Sequence, residues 1–437
     1  MRNATPGLGG RNWLALVMFG LFGQIAWTIE NMYFNVFLYK TVTYDPNAVA
    51  VMVAASAVTA TLTTLLMGAA SDRAGRRKPF IAAGYIIWGF TIMSFALLSK
   101  ENMARLFPGA NAVAMTAAIV VVMDCVMTFF GSTANDAAFN AWVTDITVPE
   151  TRGRVGGALE AMPLLAVLVV FGGFDGLTQS GDWALFFLVV GAMVSLGGLA
   201  GLFLLKDKPG VAVQKNDLIY GFRPSVIKAN AQLYRLFALL CVCFISQQVF
   251  FPYIIIYLEY GLGITDYALL LGVILLAAAG ASVLGGRLVD KYGKRRFFFV
   301  SGGVFTAGLV LMFLHGQYLQ NIPGLKLPLL VLFAVMMLGG NLLLSLVVNA
   351  AIRDHMPEAQ RGHFNGIRMI FFVLVPMVVG PFIGARIIRS GPTFVDEFGA
   401  AQSIPNPWIF LGAAAVAVFM FLPMAAIVRR MKGEGGA

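Results

Sequence analysis

The residues Gly68-Ala-Ala-Ser-Asp72-Arg73-Ala-Gly75-Arg76-Arg77-Lys78 close one long apolar run and open the next. The same pattern returns 218 residues later as Gly286-Arg-Leu-Val-Asp290-Lys291-Tyr-Gly293-Lys294-Arg295-Arg296, an offset of half the 437-residue chain. A second echo pairs Pro149-Glu150-Thr-Arg152-Gly153 with Pro357-Glu358-Ala-Gln-Arg361-Gly362. Two pairs of matching connections at corresponding places imply two parallel repeats.

The segments flanking these connections are apolar. The chain is 59% hydrophobic and 12% charged, with a mean hydropathy of +0.81, whereas soluble domains carry about 25% charged residues. Lipid must therefore solvate it, and a bilayer-spanning helix takes roughly 20 apolar residues. Apolar runs fall near 13–39, 48–70, 79–98, 112–143, 153–174 and 183–205, and again near 236–258, 266–286, 296–314, 327–352, 363–388 and 408–428. The expected fold is an all-α membrane protein of twelve spans in two six-helix repeats, residues 1–205 and 236–437, joined by a polar linker at 206–235. The first run, Trp13 to Tyr39, is too long for a signal-peptide core and lacks a small-residue cleavage site, so it is expected to stay attached as a span.

Charge sets the orientation. With both termini inside, 24 of the 31 Lys and Arg residues lie on the cytoplasmic side, 6 lie outside and Arg368 falls within a span, the bias of a cytoplasmic retention signal. This topology accounts for the net charge of +10 without a nucleic-acid partner, because the cations are dispersed among short loops. Those short loops and bare tails suit a multi-pass protein of the plasma membrane, in particular a bacterial cytoplasmic membrane. Cys125, Cys241 and Cys243 lie inside apolar runs without metal or disulfide spacing and read as packing residues.

The repeated loop resembles the signature of the major facilitator superfamily, Gly-x-x-x-Asp-(Arg/Lys)-x-Gly-(Arg/Lys)-(Arg/Lys) between spans 2 and 3, present here in both halves. The wording from Ser71-Asp72-Arg73 to Lys78-Pro79-Phe80 is also similar to the branch that holds sucrose carriers and glycoside-cation symporters. The resemblance implies two bundles that rock about a central site to give alternating access. It also implies a gating role for Asp72, Arg73, Gly75 and Arg76, and for Asp290, Lys291, Gly293 and Lys294, with Asp72 meeting the start of span 11 near Arg361 and Asp290 the start of span 5 near Arg152. An acid beside a helix N-terminus is favoured by the helix dipole, which makes such contacts a latch. The alternative is that the basic residues only anchor helix ends at an anionic leaflet.

Amide and ionisable residues are concentrated in spans 1, 4, 5, 7, 10 and 11. Gln24, Thr28, Asn31 and Asn35 recur at i, i+4, i+7 and i+11, on one face of a regular helix, with Trp27 beside them. Span 4 repeats the spacing with Asp124, Thr128, Gly131 and Asn135, and span 7 with Ser246, Phe250, Tyr253 and Tyr257 beside Gln247. Span 10 offers Asn341, Ser345 and Asn349. By the resemblance, spans 1, 4, 7 and 10 line the solute cavity; the plainer reading is that these groups join helices by hydrogen bonds of about 0.6 kcal/mol each. Expected solute contacts are Gln24, Trp27, Asn31, Asn35, Asp124, Asn135, Gln247, Phe250, Tyr253, Asn341 and Arg368. Amides pair with hydroxyls and aromatic faces stack on sugar rings.

Glu30, Asp124, Asp136 and Glu160 lie at membrane depth, whereas His315, His355 and His363 lie near the membrane edges. A proton-coupled carrier built from this chain must therefore load its proton on a carboxylate. Glu30 lies about 100° around the helix from Asn31, off the polar stripe, as a proton site or a structural partner. Asp136 and Glu160 stand at similar depth on either side of the turn joining spans 4 and 5, close enough to share a proton. Arg368 either pairs with Glu160 or Asp136, the preferred reading, or binds an anionic solute group.

No nucleotide loop, metal-ligand cluster or nucleophile-base arrangement is present in the sequence. An enzyme, a cofactor and direct ATP drive are not expected. The leading expectation is a monomeric secondary active transporter carrying a small neutral solute, a sugar or similar, by symport with a proton, its other partner being membrane lipid. An exporter of amphipathic drugs, a non-transporting solute sensor and lysolipid movement are the other readings.

Overall fold

A computed structural model describes residues 8–207, 220–357, 361–395 and 401–434. Part of the expected linker, with Lys208 and Lys215, lies outside the described residues. Twelve helices are long and apolar enough to cross a membrane. Spans 1 to 6 are Gly10–Val42, Pro46–Ala74, Lys78–Leu97, Ala112–Ile146, Glu150–Gly173 and Trp183–Leu204. Spans 7 to 12 are Ala231–Gly261, Tyr267–Val289, Lys294–Leu319, Lys326–His355, Gly366–Arg389 and Trp408–Arg430. Helix is the form that satisfies every backbone N–H and C=O within one segment, which a lipid environment demands. Large apolar side chains such as Leu66 and Phe90, each 61% exposed, stay on the outside of these spans.

Local chemistry sets the helix ends. Asn111 accepts the Ala114 N–H at 3.0 Å to open span 4, and Asp182 accepts the Leu185 N–H at 3.2 Å to open span 6, each capping an otherwise orphaned donor. The two repeated loops turn at Gly75 (φ +62°) and Gly293 (φ +86°), a left-handed conformation that costs glycine little. Short elements occupy the connections: helices Lys100–Leu106, Asp175–Gln179 and Pro224–Ala229, and a two-stranded ribbon of Thr393–Val395 with Ala401–Ser403 in which Thr393 opposes Ser403. Span 7 therefore begins at Ala231 rather than near 236, because the end of the polar linker is itself helical.

Contacts divide the chain into two compact units, Met1–Thr43 with Ala55–Lys215, and Tyr44–Ala54 with Asn216–Ala437. In the first, span 1 packs on spans 5 and 6, and span 3 on spans 4 and 6. In the second, span 7 packs on spans 11 and 12, and span 9 on spans 10 and 12. These are the same pairings displaced by six spans, so the repeat read from the loops is a repeat of helix packing. The first turns of span 2 belong to the second unit: the Tyr253 hydroxyl shares its proton between the carbonyls of Pro46 at 3.1 Å and Pro381 at 2.9 Å, and Tyr44 packs edge-on to Tyr260.

Regular α-helix is not kept throughout. Wide turns with i→i+5 hydrogen bonds occupy Ile29–Phe34 and Leu38–Val42 in span 1, Ser132–Phe139 in span 4, Tyr257–Gly261 in span 7, His315–Leu319 in span 9 and Ile370–Leu374 in span 11. Each wide turn rotates the residues beyond it relative to a 3.6-residue repeat. The expected stripe is therefore broken in span 1: Gln24, Trp27, Thr28 and Asn31 are part-exposed, while Asn35, beyond the wide turn, is 1% exposed.

Candidate functional site

The first unit holds a buried cluster of acids and hydroxyls. Glu30 sits in the wide turn of span 1 and is 7% exposed. Its Oε1 accepts from Ser56 Oγ of span 2 at 2.5 Å and from Thr128 Oγ1 of span 4 at 3.0 Å. The two hydroxyls are 2.8 Å apart. One helical turn before Thr128, Asp124 is 1% exposed and interacts electrostatically with Glu30. Glu30 Oε2 and Asp124 Oδ1 have no hydrogen-bond partner among the described residues. Two carboxyl groups so enclosed strongly disfavour carrying two charges.

A second polar chain runs beside it. Trp27 Nε1 donates to Asn135 Oδ1 at 3.2 Å, Asn135 Nδ2 donates to the Tyr85 hydroxyl at 2.6 Å, and that hydroxyl donates to the Phe19 carbonyl at 2.8 Å. Gly23 makes this approach possible, because a Cβ there would stand 2.1 Å from Asn135 Nδ2. Asp136 is part-exposed and accepts from Ser132 Oγ at 3.0 Å. Glu160 is exposed on span 5. The structure thus brings Glu30 to Thr128 and Asp124 of span 4, and Trp27 to Asn135.

The second unit offers different groups. Asn341 is buried and donates to Cys243 Sγ at 3.4 Å. Gln247, one helical turn after Cys243 on span 7, is part-exposed, with Oε1 unpartnered among the described residues. Phe250 is buried against Phe410, and Tyr253 is held by its two carbonyls. Arg368 Nη2 donates to Asn349 Oδ1 at 3.0 Å, and its guanidinium lies 5.1 Å over the Phe372 ring.

The two repeated loops differ in construction. In the first, Arg77 turns inward: it donates to Asp72, to Asp145 at 3.2 Å and to Ser71 at 2.7 Å. Asp207 Oδ1 accepts the N–H groups of Arg77 at 2.7 Å and Lys78 at 2.8 Å, capping span 3 from the chain just past span 6. In the second loop, part-exposed Lys294 pairs with Asp354 at 2.5 Å. Arg73, Gly75, Arg76, Arg152, Lys291 and Gly293 are exposed. The side chains of Asp290 and Arg361 lie outside the described residues.

Ser56, Tyr85 and Asp207 have no site role in the sequence reading, and Thr128 enters it only as a member of the span 4 stripe. Hydroxyls are common in membrane helices, so only the fold distinguishes the two that converge on Glu30. Asp175, 4% exposed, accepts from Tyr33 Oη at 2.7 Å and Gln179 Nε2 at 2.6 Å, and escaped notice because it lies in a connection.

The chain matches the Major Facilitator Superfamily over residues 13–265 and 236–436. No curated protein sequence matches it. Among solved structures it is similar to a mutant of the nucleoside transporter NupG, with 11% identity, a TM-score of 0.69, and coverage of 95% of this chain and 99% of that one. A POT family transporter in complex with 5-aminolevulinic acid gives 12%, 0.69, 95% and 96%. The inward open xylose transporter XylE from E. coli gives 14%, 0.65, 93% and 95%. At these identities the likeness is one of fold, and the sugar branch suggested by the first loop receives no specific support, since the neighbours span several solute classes. With the family match covering both halves and twelve spans arranged as a packing repeat, the chain belongs to the major facilitator superfamily and is a multi-pass secondary transporter rather than an enzyme.

Proposed function

We propose that this protein is a proton-coupled symporter of a sugar or similar small polyhydroxylated solute, with bundles 1–205 and 236–437 alternating access to it. The observation that carries the reading is Glu30, a buried intramembrane carboxyl held by Ser56 and Thr128 next to Asp124. Ionisable groups are costly in a membrane and mark ion pathways. In this reading the Glu30–Asp124 pair shares one proton when loaded and releases it on the cytoplasmic side. Ser56 and Thr128 hold the carboxylate while it is charged.

The solute contacts are Gln24, Trp27, Asn31 and Asp136 in the first unit, part-exposed side chains that combine amides, an indole and a carboxyl. Gln247, Asn341 and Arg368 are the proposed contacts in the second. Asn135 and Tyr85 act as positioning residues by fixing the Trp27 indole. Transporters of nucleosides and of xylose are among the proteins of similar fold, and both solutes present hydroxyl-bearing rings. The repeated loops, with Arg77 and its three partners foremost, are the proposed cytoplasmic gate. The proposed setting is a bacterial cytoplasmic membrane, with the monomer as the working unit.

The test is a thermal-shift screen of the purified protein against sugars, nucleosides, amino acids and amphipathic drugs, then uptake of the stabilising solute into proteoliposomes. Accumulation above equilibrium only with an inward proton gradient supports symport. Stabilisation by drugs alone, or accumulation indifferent to the gradient, contradicts it.

A further inference from the structure

Span 11 carries two adjoining cavities at the end that meets the ribbon and span 12. The first, about 530 Å³, is apolar and runs along Val378, Val379, Phe382 and Ile383 to Arg386. The second, about 320 Å³, shares Arg386 and Ile387 with it and continues past Ser390 to Asn406 and Trp408. Together they form a groove with an oily stem and a polar head.

The stem is open at its side, since Val379 and Phe382 are 39% and 42% exposed. At the head, exposed Arg386 makes no ion pair among the described residues. Asn406 is 5% exposed, and while its Oδ1 accepts the Trp408 N–H at 3.1 Å, its Nδ2 has no partner among the described residues. Trp408 is half exposed at the first position of span 12, where an indole sits at headgroup level. A cation without an ion pair among the described residues, a buried amide N–H donor and an interfacial indole at one end of an apolar groove fit an anionic headgroup joined to a hydrocarbon chain.

We propose that this groove binds a glycerophospholipid of the non-cytoplasmic leaflet, with one acyl chain along Val378 to Ile383 and the phosphate at Arg386 and Asn406. The site is separate from the polar cluster of the first unit and does not depend on the solute assigned above. Arg386 supplies charge, Asn406 a hydrogen bond and the groove the chain-length contact, so phosphate without an acyl chain and acyl chains without phosphate each fill half of it.

The experiment is native mass spectrometry of the full chain released from vesicles of phosphatidylglycerol, with diacylglycerol in place of the phospholipid and inorganic phosphate as competitor in separate arms. The wild type is expected to retain phosphatidylglycerol, to retain diacylglycerol less, and to lose no lipid to inorganic phosphate. Arg386→Gln is expected to lower retention about fivefold, the factor for one interfacial cation. Val379→Trp, which fills the stem, is expected to lower it as well with the melting temperature unchanged. Arg389→Gln, an exposed cation outside the groove, is expected to have no effect. Equal loss in the Arg386 and Arg389 variants, displacement by inorganic phosphate, or full retention in a normally folded Val379→Trp protein overturns the proposal.

Discussion

In the first unit the buried polar side chains include Glu30, Asp124 and Asp175, whereas those of the second are Gln232, Ser246, Ser282, Ser301, His315, Asn341 and Asn406, with no carboxylate among the described residues. Yet the pairings of span 1 with spans 5 and 6, and of span 3 with spans 4 and 6, recur six spans later. The repeated loops diverge in the same manner: Arg77 is buried among Asp72, Asp145 and Ser71, while the residue 218 positions later, Arg295, is exposed and Lys294 makes the ion pair instead. The helix scaffold is common property of the repeat because it depends on apolar faces and small residues. Ionisable chemistry depends on a few partners, so the buried carboxyl groups of one half need not recur in the other.

The loops give the largest contrast to break. Arg77→Met leaves Asp72 and Asp145 without the buried cation they share, and is expected to lower stability by about 3 kcal/mol, the low end for a severed buried pair because Asp72 retains some exposure. Lys294→Met in the second loop is expected to cost under about 1 kcal/mol, as surface pairs do. Thermal unfolding in detergent measures both, and equal losses would erase the distinction. Within the spans, Ser56→Ala removes a donor to a carboxyl and is expected to cost about 1.5 to 3 kcal/mol. Ser246→Ala removes one to the Ala413 carbonyl and is expected to cost about 0.5 to 1.5 kcal/mol. Gly23→Ala drives a methyl into Asn135 and Tyr85 and is expected to cost about 1 to 3 kcal/mol by overpacking; the same variant should weaken solute binding by moving the Trp27 indole, read in the thermal-shift assay.

The span count, the repeat and the family are legible in the sequence because lipid forces long apolar helices and the loop motif recurs at a fixed offset. The membership of the polar cluster was only half legible. Regular helical spacing puts Glu30 off the stripe with no partner named, and the structure supplies the neighbours it faces, Ser56 and Thr128. The burial of Asn35 could not be read either, because the wide turn at Ile29–Phe34 leaves no mark in composition. Ser56 and Thr128 acquire a role only when three helices meet, and Asp207 does so because a linker residue returns to cap span 3. Pairing between residues distant in the chain is what a single sequence conceals.

The proposed symport turns on one carboxyl, Glu30. Reconstituted protein loaded with a pH-sensitive dye, exposed to its solute without an imposed gradient, reports proton entry directly. The wild type is expected to acidify the lumen as solute enters, and Glu30→Gln to admit solute down its gradient with the lumen left unchanged. Acidification that persists undiminished in Glu30→Gln contradicts the assignment of the proton to this cluster.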